Sequence, residues 1–308
     1  MNPSSSFSGR RNFLKTSVKF AAITTAAASL SHRLGAAENA AAKVGMNGRI
    51  NHSVCKWCYK DIPLDDLCVA GKDFGLQSIE LLKPEDMETL KKHGMTCAIF
   101  SNPTGTTKEG VKVGGIEKAF NRLEHHDTLI EVYEPYLKQV ADAGGKQVIC
   151  FSGNRDGMDD QKGIENCAIG LKRLMPIAEK LNLKLTMELL NSKVNHKDYM
   201  CDLSTWGVEL CKAVGSENFG LLYDIYHMQI MEGDVIATIR KDNKYFAHYH
   251  TGGVPGRAEI DETQELYYPA IMKAIVETGY KGYVAQEFIP KREDKIASLK
   301  QGVTICDV

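Results

Sequence analysis

From about residue 46 onward, short apolar runs alternate with longer amphipathic stretches. The short runs cover 50–54, 78–82, 96–100, 147–151, 183–189, 219–224, 245–250 and 283–288, and they are rich in Ile, Leu, Val, Phe and Tyr. Such runs predict strands covered on both faces, as in a parallel sheet. The stretches between them read as helices. Phe120, Leu123, Asp127, Ile130, Glu134, Leu137 and Val140 keep helical spacing with an apolar majority, as do Ala168, Leu171, Leu174, Met175 and Ala178. Pro63 and Pro84 stand where a first helical turn accepts proline. Ser204 offers an N-cap, and Gly215 and Gly279 offer stops.

Eight strands alternating with helices over residues 46–308 predict a single-domain α/β fold, the (β/α)8 TIM barrel. A doubly wound open sheet is the competing fold. It normally carries a glycine-rich phosphate turn after its first strand. Here that strand runs into Cys55-Lys56-Trp57-Cys58-Tyr59, which has no glycine. The barrel is therefore preferred.

Barrel chemistry sits at the C-terminal ends of the strands. The fifth to eighth strands end in Glu188, Asp224, His250 and Glu287, at intervals of 36, 26 and 37 residues. Taken singly, an Asp at a strand end usually caps the next helix, and a lone His is more often a hydrogen-bonded core residue. Together they say more. Three carboxylates at one rim repel one another unless a cation or protons compensate. Three oxygen donors and one imidazole suit a single divalent cation, Mn2+ or Mg2+ before Co2+ or Zn2+.

Further motifs narrow the reading. The run Asp224-Ile225-Tyr226-His227-Met228-Gln229-Ile230-Met231-Glu232-Gly233-Asp234 resembles a signature of the hydroxypyruvate isomerase family. So do Val254-Pro255-Gly256-Arg257 and Gly279-Tyr280-Lys281-Gly282-Tyr283-Val284, the latter leading to Glu287. The resemblance spans 46–308 and is strongest after Glu188. It implies a metal-dependent isomerase of the xylose-isomerase-like superfamily. On that resemblance Glu188 and Glu287 are both metal ligands and the acid/base pair, Asp224 and His250 complete the metal site, and His227 and Arg257 bind substrate oxygens. The chemistry agrees: moving a carbonyl along a chain removes a proton from one carbon and returns one to its neighbour, through an enediolate that a cation stabilises. Hydroxypyruvate isomerases usually carry Gln where this chain has His250, and histidine there is more like the ketose 3-epimerases. The alternatives are therefore an exported sugar or keto-sugar epimerase or lyase, and a non-catalytic carbohydrate-binding barrel. A related barrel endonuclease would need more His and Asp and a basic groove. The expected partner is a small hydroxy-keto acid or sugar, and a homo-oligomer is compatible with the sequence.

Composition adds an address. The chain has 308 residues and a formal net charge of −1. Residues 1–37 hold five basic residues and no acid; without them 33 basic residues face 39 acidic ones, a net −6. An acidic body argues against duplex DNA as a partner. Gly9-Arg10-Arg11-Asn12-Phe13-Leu14-Lys15 resembles the twin-arginine export motif, with Gly where Ser is usual. A weakly apolar stretch and the small residues Gly35-Ala36-Ala37 follow. The expectation is a cleaved leader over 1–37, a linker over 38–45, and a periplasmic enzyme with no membrane span after cleavage. Nine Cys are scattered along the chain. Most read as small core residues, Cys55-Lys56-Trp57-Cys58 included. Asn154 and Arg155 are expected near the barrel mouth, His125 and His126 on a solvated helix face, and Trp57 either over the substrate or packed.

Overall fold

The computed structural model describes residues 46–308. The predicted leader, its cleavage site and the linker lie outside the described residues. In chain order the elements are β1 (Asn51–Cys55), α1 (Leu64–Asp73), β2 (Leu76–Glu80), α2 (Met87–Lys92), β3 (Gly105–Thr106), β4 (Lys112–Val113), α3 (His126–Ala143), β5 (Gln147–Cys150), α4 (Asp160–Leu181), β6 (Lys184–Glu188), α5 (Ser204–Val214), β7 (Phe219–Asp224), α6 (Ile225–Met231), α7 (Val235–Asp242), β8 (Phe246–Thr251), α8 (Tyr268–Glu277), β9 (Tyr283–Gln286) and α9 (Lys295–Cys306).

The main sheet is parallel throughout, in the order β2-β1-β9-β8-β7-β6-β5. Segment 96–100 stands between its two ends. It bridges Ser78 to Thr96, Leu82 to Phe100, and Phe100 to Val148. The Phe100 N–H donates to Gln147 O at 2.9 Å, and the Ile79 N–H to Thr96 O at 3.1 Å. The ring of eight closes as a TIM barrel, the predicted fold class. The ladder at 96–100 is broken because a side chain takes a backbone bond: the Ala98 N–H donates to Ser78 Oγ at 2.9 Å. β3 and β4 form an antiparallel hairpin in the loop before α3.

Helix starts depart slightly from the sequence expectation. α3 begins at His126, so Phe120 and Leu123 precede it. Ser204 is the first residue of α5 rather than its cap, whereas Gly215 ends the helix at φ 71°. Asp159 caps α4, its side chain accepting from the Lys162 N–H. His125 and His126 are not solvated but buried. A ring nitrogen of each meets a carbonyl of the preceding loop, Ala119 O at 3.1 Å and Phe120 O at 2.8 Å. All nine cysteines are buried free thiols. No helix among the described residues is long and apolar enough to cross a membrane.

Candidate active site

Glu188 is the last residue of β6, Asp224 the last of β7, and Glu287 follows β9 directly. His250 lies one residue before the end of β8, opposite Asp224 and Ala285 in the ladders. Parallel register therefore sets the four on one rim. One donor atom from each falls within 4.8 Å of the others. Asp224 and His250 are fully buried, and Glu188 and Glu287 nearly so.

His227 and Arg257 reach the same place from loops and helix starts. Asp224 Oδ1 accepts the His227 N–H at 3.1 Å, which caps α6 and turns the imidazole to the site. Arg257 sits on a tight hairpin in which the Gly253 N–H donates to Ala258 O at 2.9 Å and the Arg257 N–H to Gly253 O at 2.8 Å. Only glycine fits at 253, since a Cβ there would lie 2.2 Å from Glu259 O. The guanidinium stacks near Trp57 and Tyr226, 5.7 and 5.0 Å from their ring centroids. Its Nη2 donates to Asp224 Oδ2 at 2.8 Å and also to Glu287 Oε2, and Nη1 lies 2.5 Å from His227 Nε2.

Above these groups opens a cavity of about 550 Å3. Glu188, His227, Arg257 and Glu287 line it, with Trp57, Asn195 and His196 on the polar side. Leu81, Ile116, Ile149, Phe151 and Leu190 form an apolar side. Trp57 Nε1 donates to Glu287 Oε1 at 2.7 Å, so the aromatic ring both lines the mouth and fixes a carboxylate. Arg155 is not at this mouth. It is spent on Asp202 and Asp160, at 2.8 and 3.1 Å.

The electrostatics are those of crowded acids in a dry place. Burial pushes the Asp224 carboxyl up to about 7; Arg257 opposes this, and Glu287 and Glu188 add to it. Burial also raises Glu188, only partly offset by the His250 imidazole beside it. Burial would raise Glu287 too, but Arg257 and His250 outweigh it and hold that carboxyl well below the usual range. The residues fit a divalent cation on a further observation. His250 Nδ1 is buried with no hydrogen bond of proper geometry, although Glu287 Oε2 is only 2.6 Å away and Glu188 Oε1 3.5 Å. An orphaned nitrogen among three carboxylates is a donor set for a metal.

Sequence reasoning overlooked Glu80. It ends β2, is fully buried, and bonds both His248 and His250. Burial would raise its carboxyl, but the two imidazoles outweigh that and hold it at about 2. The signal lay in the alternation of His248 and His250, which puts both rings on one face of β8.

Comparisons with known proteins agree with this architecture. A family model described as the xylose isomerase-like TIM barrel matches residues 71–303. A human protein named, provisionally, a hydroxypyruvate isomerase is 31% identical over 237 residues, covering 72% of this chain and 82% of its own. A 2-oxo-tetronate isomerase of Haemophilus influenzae is 24% identical, covering 76% and 91%. Among solved structures, a family 2 AP endonuclease from Brucella melitensis superposes with a TM-score of 0.66 at 24% identity, over 83% of this chain and 96% of its own, a likeness of fold alone. The protein belongs to the xylose isomerase-like TIM barrel family, among that family's isomerases.

Proposed function

We propose that the protein is a metal-dependent isomerase that shifts a proton between adjacent carbons of a small α-hydroxy carbonyl compound, of the hydroxypyruvate–tartronate semialdehyde type. The observation that carries this reading is the convergence of Glu188, Asp224, His250 and Glu287 within 4.8 Å beneath one cavity. These four would hold one divalent cation, Mn2+ or Mg2+. When bound, that cation polarises the substrate carbonyl and stabilises negative charge on its oxygen.

The chain's own residues supply the rest. Glu188 and Glu287 are the acid/base pair, and their surroundings push them apart, one carboxyl raised and the other lowered. Such a split is how two like groups come to hold and accept a proton in turn. Trp57 keeps Glu287 aimed into the cavity. Arg257 and His227 bind substrate oxygens, the guanidinium through a fork of N–H donors. The apolar side made by Leu81, Ile149 and Phe151 keeps water from the reacting carbons.

A panel of hydroxypyruvate, 2-oxo-tetronate and ketoses, followed in deuterated water, tests the reading. Deuterium should enter at the carbon beside the carbonyl, with product formed. Turnover of ketoses alone would move the substrate to the epimerase side with the same chemistry. Binding without exchange on any compound would favour a carbohydrate-binding barrel. We further propose that Arg10 and Arg11 send the protein to the periplasm by the twin-arginine route.

A further inference from the structure

We propose that Glu80 is a positioning residue that decides which nitrogen of His250 faces the Glu188, Asp224 and Glu287 carboxylates, an inference that rests on the metal-site reading above. Glu80 ends β2, beside His250, and is fully buried. Its Oε1 lies 2.8 Å from His250 Nε2 and 2.7 Å from His248 Nε2. Its Oε2 accepts from Ser53 Oγ on β1 at 2.5 Å. The carboxylate is thus pinned by two strands, and it cannot rotate away from β8 without losing a buried partner.

A single carboxylate oxygen that meets two imidazole nitrogens serves both only as an acceptor. Both imidazoles must therefore present Nε2–H to Glu80. For His250 this leaves Nδ1 as the nitrogen that faces the site, 2.6 Å from Glu287 Oε2 and 3.5 Å from Glu188 Oε1, and the one whose lone pair a cation held among those carboxylates would take. A histidine that donates one ring N–H to a carboxylate is fixed in tautomer and in ring orientation, and its other nitrogen becomes a better ligand. Ser53, Glu80 and His248 do not line the cavity; Glu80 reaches the site through His250, with the Cys55 thiol 3.8 Å from Glu80 Oε1 and 3.6 Å from His250 Nε2 beside them.

The test uses the whole protein and a readout other than turnover. In the Mg2+-loaded wild type, 15N–1H spectra of the histidine rings should show His250 protonated at Nε2 and bare at Nδ1. Glu80→Gln should weaken Mn2+ binding by about 10–100-fold, the usual effect of losing such a partner. It should also change the Co2+ absorption spectrum while leaving circular dichroism and cooperative unfolding in place. His248→Gln, which removes the other imidazole partner of Glu80 and leaves Ser53 in place, should bind Mn2+ close to wild type. A proton on His250 Nδ1 in the loaded wild type would overturn the proposal, and that spectrum decides the matter even where Glu80→Gln fails to fold. Unchanged Mn2+ binding in Glu80→Gln together with loss in Asp224→Ala overturns the positioning role alone. Unchanged binding in both variants overturns the metal site and the positioning role with it.

Discussion

Asp224 uses its two oxygens separately. Oδ1 caps α6 through the His227 N–H, and Oδ2 turns to Arg257 and the rim. One carboxylate thus both caps a helix and faces the rim. Replacing it would remove a charged ligand of the proposed metal site. Asp224→Ala should lose its bound metal by elemental analysis, because a methyl group cannot coordinate; a full complement of metal would contradict the site. Its carboxyl, raised to about 7, also sets a pH dependence. Below that value the proton competes with the cation, so apparent Mn2+ affinity should fall as pH drops through about 7 and level off above it. A flat titration from pH 5 to 8 would show that the Asp224 carboxyl is not raised in the metal-free site. Glu188→Gln and Glu287→Gln keep the shape and an oxygen but remove a base. Each should cut turnover by at least about 10²-fold, the scale of general acid–base catalysis. Steady-state rates near wild type in both would remove the pair from the mechanism.

Among the elements, the hairpin that carries Arg257 is tightly constrained. Gly253 packs against the carbonyls of Ala258 and Glu259, and Ile289 N–H donates to Arg257 O at 2.7 Å. Gly253→Ala must spread that hairpin. The expected cost is about 1–3 kcal/mol, as for other overpacking changes, read by chemical denaturation; a stability unchanged within error would mean the loop yields freely. The strands themselves were legible in the sequence, because buried parallel strands are uninterrupted apolar runs and their ends mark the rim. That is how Glu188, Asp224, His250 and Glu287 could be gathered before any geometry was known. Segment 96–100 was legible as a run but not as a broken ladder, since the break comes from the Ser78 hydroxyl across the sheet. Glu80 stayed hidden because it lies inside the predicted run 78–82, two residues short of its end. His125 and His126 misled because Glu124 and Asp127 beside them suggest a wet face, whereas carbonyls far from helical register take their ring nitrogens.

At the scale of the molecule, one rim of the barrel gathers the buried carboxylates under the cavity, the end at which this fold places its active sites. The acidic body left after residues 1–37 suits a small neutral or metal-paired substrate better than a polyanion. Replacing Arg10 and Arg11 together with Lys should trap the precursor in the cytoplasm, and unchanged fractionation would contradict the export proposal. The central claim is that proton transfer to and from substrate carbon depends on a cation held by Glu188, Asp224, His250 and Glu287. Deuterium incorporation into hydroxypyruvate, measured with chelator-stripped protein and again after reloading with Mn2+, tests it most directly. The account predicts that exchange disappears on stripping and returns with the metal. Exchange that persists unchanged in the stripped protein, or its absence in both, would contradict it.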